Sequence, residues 1–206
     1  MDVEHARSWV RAIADAVDAG KDHLTELDAA IGDGDHGTNL QRGFTAAVVA
    51  LDAAEFPVVG DVLIATGSAL ISKVGGASGP LYGSAFRAMG RALPLPTATP
   101  AELLAALVAG LDGLRRLGGA APGDKTIVDA YSPAIAAFEG ALNAGGTLGT
   151  ASAAAAEAAA DGARATAGLQ ARKGRASYLG ARSLGHQDPG ATSTALMFRA
   201  LADVSA

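Results

Sequence analysis

The chain contains no cysteine, and that one absence excludes disulfides, zinc–thiolate centres and thiol nucleophiles together. Aromatic residues make up only 4% of its 206 residues, so a core has to be assembled from Leu, Ile, Val and close alanine contacts. Positive charge is not in excess. Lys and Arg number 16 against 21 Asp and Glu, a net charge of −5, which argues against the basic face that a nucleic-acid binder presents. Long hydrophobic runs are missing too. The opening MDVEHARSWVRAI carries acids and no apolar stretch of leader type, and the longest uncharged run, Gly140 to Ala156, is mostly Ala, Gly and Thr. Neither suits a signal peptide or a membrane span. The expectation is a soluble, cytoplasmic chain with no membrane and no nucleic acid among its partners. Its length fits one domain over residues 1–206.

What is present is helical pattern. Apolar residues Val3, Trp9, Val10, Ile13, Ala14 and Val17 recur at three and four positions behind a capping Asp2, and Gly20 is expected to end that helix. Further helices are expected over 21–30, 38–54 and 58–74, then up to about Leu93. Thr99, Pro100 and Glu102 form a strong start signal for a helix that stops at Gly118–Gly119. The next helix carries Ile127, Tyr131, Ile135, Phe138 and Leu142, with Pro133 expected to kink it or delay its start. An alanine-rich helix over 147–170, an irregular loop over 171–190 and a last helix opened by Asp188 and Pro189 complete the chain. Alternation of strand type appears nowhere. The pattern predicts an all-α fold of eight or nine antiparallel helices.

The most informative stretch is LDAAIGDGDHGTNLQRGF, residues 27–44, in which Asp28, Asp33 and Asp35 fall within eight positions among Gly32, Gly34 and Gly37. Such clusters ordinarily mark a turn. Three like charges packed together repel unless a cation lies between them, and carboxylates without thiols select hard divalent ions, Mg²⁺ ahead of Zn²⁺. The helix expected from Thr38 directs its free N–H groups and positive dipole end to the same place, which suits phosphate. If consecutive helices run up and down, this loop, GGASGP (75–80), GGAAPGDKT (118–126) and the basic loop 171–190 all lie at one end of the bundle. Ser78, Lys125, Arg172, Lys173, Arg175 and Arg182 would then converge on the carboxylates. His36 admits three readings: loop hydrogen bond, metal ligand or catalytic base. Two familiar motifs fail. Asp124 interrupts a P-loop match at Lys125, and an EF-hand needs Glu where Phe44 stands.

IGDGDHGTN, GGASGPLYG, PGDKT and KGRASYLGARSLGHQDPGATS, in this order, resemble the nucleotide-binding L subunit of bacterial dihydroxyacetone kinase, a sequence type that also forms the C-terminal domain of ATP-dependent dihydroxyacetone kinases. The resemblance covers essentially the whole chain. It implies an antiparallel eight-helix barrel with the nucleotide at one end, and two Mg²⁺ ions held by Asp28, Asp33 and Asp35 against the phosphates of ADP or ATP. It carries nucleotide contacts to His36, Gly37, Thr38 and Asn39, to Ala77 and Ser78, to Gly118, to Ile127, to Arg175, and to Asp188, Pro189 and Gly190. Gly118 lies outside the strict motifs, and Ile127 stands where some relatives are expected to have methionine. No catalytic residue beyond the metal ligands is implied on this chain. The implied partners are a K subunit that holds dihydroxyacetone and a phosphohistidine-carrying M subunit of the phosphotransferase system, which rephosphorylates bound ADP. Two alternatives stay open: an ATP-exchanging triose or tetrose kinase subunit, and a nucleotide-loaded module that reports to a transcriptional regulator. A fatty-acid kinase reading is disfavoured by HQDPGATS and IGDGDHG.

Overall fold

A computed structural model describes all residues, 1–206. The chain folds into eight α-helices: α1 (Val3–Ile31), α2 (His36–Asp52), α3 (Val59–Lys73), α4 (Ser78–Arg91), α5 (Pro100–Gly118), α6 (Ile127–Asn143), α7 (Leu148–Ala165) and α8 (Pro189–Ser205). Two 3₁₀ segments, Thr166–Gly168 and Arg175–Ser183, lie between α7 and α8. There is no strand, only an isolated bridge between Asp2 and Thr97. No helix is long and apolar enough to cross a membrane. Each helix packs on its sequence neighbours, and α8 returns to α1, so the eight close into a ring.

The expected helix end at Gly20 is corrected: α1 runs unbroken through it for 29 residues. Ile13, Val17 and Leu24, all fully buried, continue one apolar stripe across the glycine. That burial outweighs the roughly 1 kcal/mol that a mid-helix glycine costs. A side chain at position 20 would also meet Leu196 of α8 at 3.3 Å. Pro133 likewise lies inside α6 without delaying its start at Ile127. Where the caps are strong the boundaries match expectation. Asp2 accepts the His5 N–H (2.8 Å), and Thr99 and Glu102 form a reciprocal capping box at the start of α5. That helix stops at left-handed Gly119 (φ 59°).

The core is one cluster of 39 buried residues drawn from all eight helices. Its few aromatics sit together: Phe86 contacts Trp9 and Phe44 at ring distances of 5.9 and 6.1 Å, and Tyr131 meets Phe198 edge-on at 5.0 Å. Elsewhere small residues let backbones approach. A Cβ on Gly60 would stand 2.0 Å from the Gly90 carbonyl oxygen, and Ala151, Ala155 and Ala159 bring α7 into the core. One end of the ring gathers the chain start, the α2–α3 and α4–α5 connections and the α8 terminus: Arg7 donates to the Leu51 carbonyl, Val59 N–H to Leu95, and His5 meets Ser205. The opposite end carries the four loops that the sequence singles out. Merging the first two expected helices shifts the numbering of every later connection equally, so the parity that gathers those loops survives.

Candidate functional site

The loops between α1 and α2, α3 and α4, α5 and α6, and α7 and α8 enclose a cleft of about 290 Å³. Asp28 belongs to the last turn of α1 and is buried; its Oδ2 accepts the N–H groups of Asp35 (2.9 Å) and His36 (3.2 Å). The carboxylate folds so tightly over the helix end that a Cβ on residue 32 would meet Asp28 Oδ1 at 2.1 Å, so any side chain there would displace the Asp28 carboxylate. Asp33 and Asp35 are exposed, and oxygens of all three carboxylates lie within 4.8 Å of one another. The only salt bridge to this trio runs from Arg175 to Asp33 (3.0 Å), across the cleft and open to water. A pair exposed in this way offsets little of the repulsion among three anions. An all-oxygen, anionic set with no lysine in salt-bridge contact fits hard divalent cations.

His36 opens α2 and is buried, its Nδ1 within 3.1 Å of Ser78 Oγ and its Nε2 within 2.9 Å of Ser193 Oγ. Burial lowers its pKa from the ordinary histidine value, while the Asp28 and Asp35 carboxylates pull it back up. With a hydroxyl beside each ring nitrogen, the hydrogen-bonding reading of His36 accounts for its geometry. The network continues inward. Tyr82 OH lies 2.7 Å from Ser193 Oγ and 2.8 Å from Thr194 Oγ1, and donates to the Gly190 carbonyl. Burial raises the Tyr82 pKa, so the phenol keeps its proton. Sequence reasoning missed this link of α2, α4 and α8; Ser193 ends the GATS segment and Thr194 follows it, but only side-chain packing shows their partner.

The remaining expected residues divide. Ala77, Ser78, Gly118, Ile127, Arg175, Asp188, Pro189 and Gly190 line the cleft together with Asp28, Asp33, Asp35 and His36. Ile127, Leu114 and Leu81 give it an apolar wall. Gly37, Thr38 and Asn39 are not in that lining. Gly37 packs against α1, where a Cβ would meet the Lys21 carbonyl at 2.0 Å, and Asn39 packs against Gly75 and accepts from Arg42. The N–H groups of Gly37 and Thr38 have no acceptor within the protein, as the first turn of a helix leaves them. Of the basic residues expected to converge, Lys173 and Arg175 reach the cleft; Arg172 and Arg182 are exposed outside it. Lys125 corrects its expectation. It lies at the cleft base, but its ammonium is turned to backbone carbonyls rather than to the carboxylates.

Asp188 caps α8 by accepting the Ala191 N–H (2.7 Å). Loss of hydration pushes its carboxyl up to about 7, opposed by that N–H and by Lys125 and reinforced by Asp129 and Asp28. The unfolded chain releases this proton near 3.8, so the native protein holds one proton more between the two values. The contribution of Asp188 to stability therefore declines as pH rises from 3.8 to about 7. Asp188→Asn, which keeps a capping acceptor, is expected to flatten that part of a plot of unfolding midpoint against pH in magnesium-free buffer. An unchanged slope would contradict the assignment.

A sequence model of the DAK2 domain matches residues 30–203. The chain belongs to the DAK2 domain family. Over 95% of its length this DAK2 chain is 42% identical to the ADP-binding subunit DhaL of the PEP-dependent dihydroxyacetone kinase of Escherichia coli K12, covering 93% of that protein. It is 40% identical, over 96% of its length and 95% of the relative, to the ADP-binding subunit DhaL of the PTS-dependent kinase of Lactococcus lactis. It is also 41% identical to the D-erythrulose kinase of Mycolicibacterium smegmatis, where it spans 97% of its own length but 36% of that longer protein. Among solved structures, 96% of the DAK2 chain superposes on the dihydroxyacetone kinase of C. freundii in complex with AMP-PNP and Mg²⁺, with a TM-score of 0.74 and 28% identity. It spans about a third of that kinase. The helical barrel expected from the sequence is thereby borne out.

Proposed function

We propose that this chain is the nucleotide-holding, phosphoryl-transferring subunit of a dihydroxyacetone kinase. The observation that carries the reading is the convergence of Asp28, Asp33 and Asp35 with Arg175 and two glycine-rich loops on one cleft. Full-length similarity to subunits named ADP-binding supports it. Asp28, Asp33 and Asp35 would hold Mg²⁺. One oxygen from each carboxylate lies within 4.8 Å of the others, and two ions is the number that the sequence resemblance implies. Bound there, Mg²⁺ would neutralise phosphate charge and orient the transferring group.

The chain's own residues do the rest by binding and orienting. Arg175 contributes positive charge opposite the acids, and the unpaired N–H groups of Gly37 and Thr38 stand at the positive end of α2. Ile127, Leu114 and Leu81 offer the apolar surface that a purine ring requires. Ser78 and His36 have the spacing of a nucleophile and base, yet the second ring nitrogen of His36 meets a hydroxyl rather than an orienting carboxylate. The attacking hydroxyl therefore belongs to the substrate, held on a separate K subunit. An ADP that stays bound and is rephosphorylated by a phosphohistidine subunit is favoured over exchange with ATP, because relatives matched along nearly their whole length are PEP- or PTS-dependent. A cytoplasmic location goes with this reading. A tetrulose acceptor is the second reading, favoured by the similarity to D-erythrulose kinase.

The test is reconstitution: dihydroxyacetone phosphate is expected to form from dihydroxyacetone only when this chain, a K subunit and a phosphohistidine donor are all present. No transfer, with either that donor or ATP, would refute the assignment.

A further inference from the structure

Lys125 is among the largest fully buried side chains of the protein, 1% exposed, and sits in left-handed backbone (φ 64°) although it is not glycine. A lysine avoids both conditions unless its surroundings compensate for them. Here the compensation is specific. Nζ donates to the carbonyls of Thr166 (2.9 Å), Leu169 (3.1 Å), Ser183 (2.7 Å) and His186. Three ammonium protons thus serve four acceptors, one of them shared. The first two carbonyls precede the stretch from Arg172 to Arg182 and the last two follow it, so one charge ties both ends of that stretch. Neighbouring bonds close the same knot: Arg172 N–H to Asp124 O, Ala171 N–H to Ser183 Oγ, Gly185 N–H to Ala167 O, and Asp188 N–H to Thr166 Oγ1. Between the tied ends the chain reaches out to solvent and carries Arg175 across to Asp33.

We propose that Lys125 is a positioning residue whose ammonium fixes the base of loop 170–187 so that Arg175 stands opposite the acidic trio. The Lys125 ammonium is engaged by these four carbonyls and acts through the loop. The effect on ADP rests on the function proposed above, whereas the effect on the loop does not. Losing a charge-assisted knot frees the loop to open without unfolding the ring.

Three measurements decide it. In the first, Lys125→Met is exposed to trypsin, with far-UV circular dichroism confirming the fold; cleavage after Arg172, Lys173, Arg175 and Arg182 is expected to accelerate by about tenfold or more over wild type. Equal cleavage rates would overturn the clamp and leave the proposed function untouched. In the second, ADP affinity in Mg²⁺ is compared across Lys125→Met, Arg175→Ala and the double variant. If Lys125 works by placing Arg175, its substitution costs little once Arg175 is gone; fully additive losses would overturn positioning and leave only a structural role. If wild type binds no ADP, the function proposed above fails, and the clamp stands or falls on proteolysis. The third covers a Lys125→Met chain that does not fold. ¹⁵N-lysine spectra of the wild type are expected to show one slowly exchanging ammonium, because Lys21, Lys73 and Lys173 all reach solvent, and its absence would overturn the proposal.

Discussion

Asp33→Ala is expected to weaken Mg²⁺-dependent ADP binding by well over 100-fold while leaving the helical fold intact. Groups that merely orient metal ligands are worth about 10- to 100-fold in affinity, and a direct ligand stands above that range. Asp33 suits the test because its carboxylate is exposed and forms no hydrogen bond with the backbone, whereas Asp28 also holds the Asp35 and His36 amides. Removing Asp28 would mix loss of a ligand with loss of the loop. Asp33→Ala also breaks the ion pair with Arg175, but that pair is largely solvated and contributes below about 1 kcal/mol. Isothermal titration with ADP, in Mg²⁺ and in EDTA, separates the two effects. Wild type should bind in the first buffer only, and the variant in neither. A variant that binds like wild type would remove Asp33 from the metal set.

Gly37→Val is expected to destabilise the protein by about 3 kcal/mol or more. The position lies in the first turn of α2, and any Cβ there falls 2.0 Å from the Lys21 carbonyl and 2.6 Å from Thr25 Oγ1. A carbonyl in the middle of α1 cannot rotate away, so the two helices must separate at the point where both enter the site. At roughly 2 to 4 °C per kcal/mol for a chain of this size, the unfolding midpoint should fall by about 6 to 12 °C. Gly140→Val is the control: it is also a helical glycine, but nothing lies within 4 Å of its Cβ position. Equal effects at the two positions would mean that Gly37 is not a packing residue.

Much of the architecture was legible because local signals agreed with the global arrangement. Thr99–Pro100–Glu102, Asp2 and Asp188 mark helix starts by hydrogen bonds that a sequence encodes directly, and the parity of connections needs only a helix count relative to the next loop. Gly20 misled because glycine has no fixed meaning: its backbone freedom suggests a stop, while its lack of a side chain suits a crossing, and only the packing against Leu196 decides. Asp28, Asp33 and Asp35 were legible from charge density, since repulsion requires a reason whatever the fold. Lys125 was not. A basic residue beside a glycine-rich loop reads as a phosphate ligand until four carbonyls from a segment some forty to sixty residues onward surround it. Arg172 and Arg182 failed similarly: Arg172 precedes the 3₁₀ segment Arg175–Ser183, the non-helical Gly180 (φ 57°) separates Arg182 from Arg175, and composition warns of neither.

The acids at the end of α1 are read here as the grip on divalent ions through which a nucleotide diphosphate is held opposite Arg175. Mass spectrometry of the undenatured protein after extensive dialysis into volatile Mg²⁺ buffer tests that most directly. The expected spectrum is a single species carrying the mass of ADP and two Mg²⁺, both lost together when EDTA is added and both missing from Asp33→Ala. A chain that binds ADP equally well with EDTA present, or retains it without the acidic trio, would contradict the account.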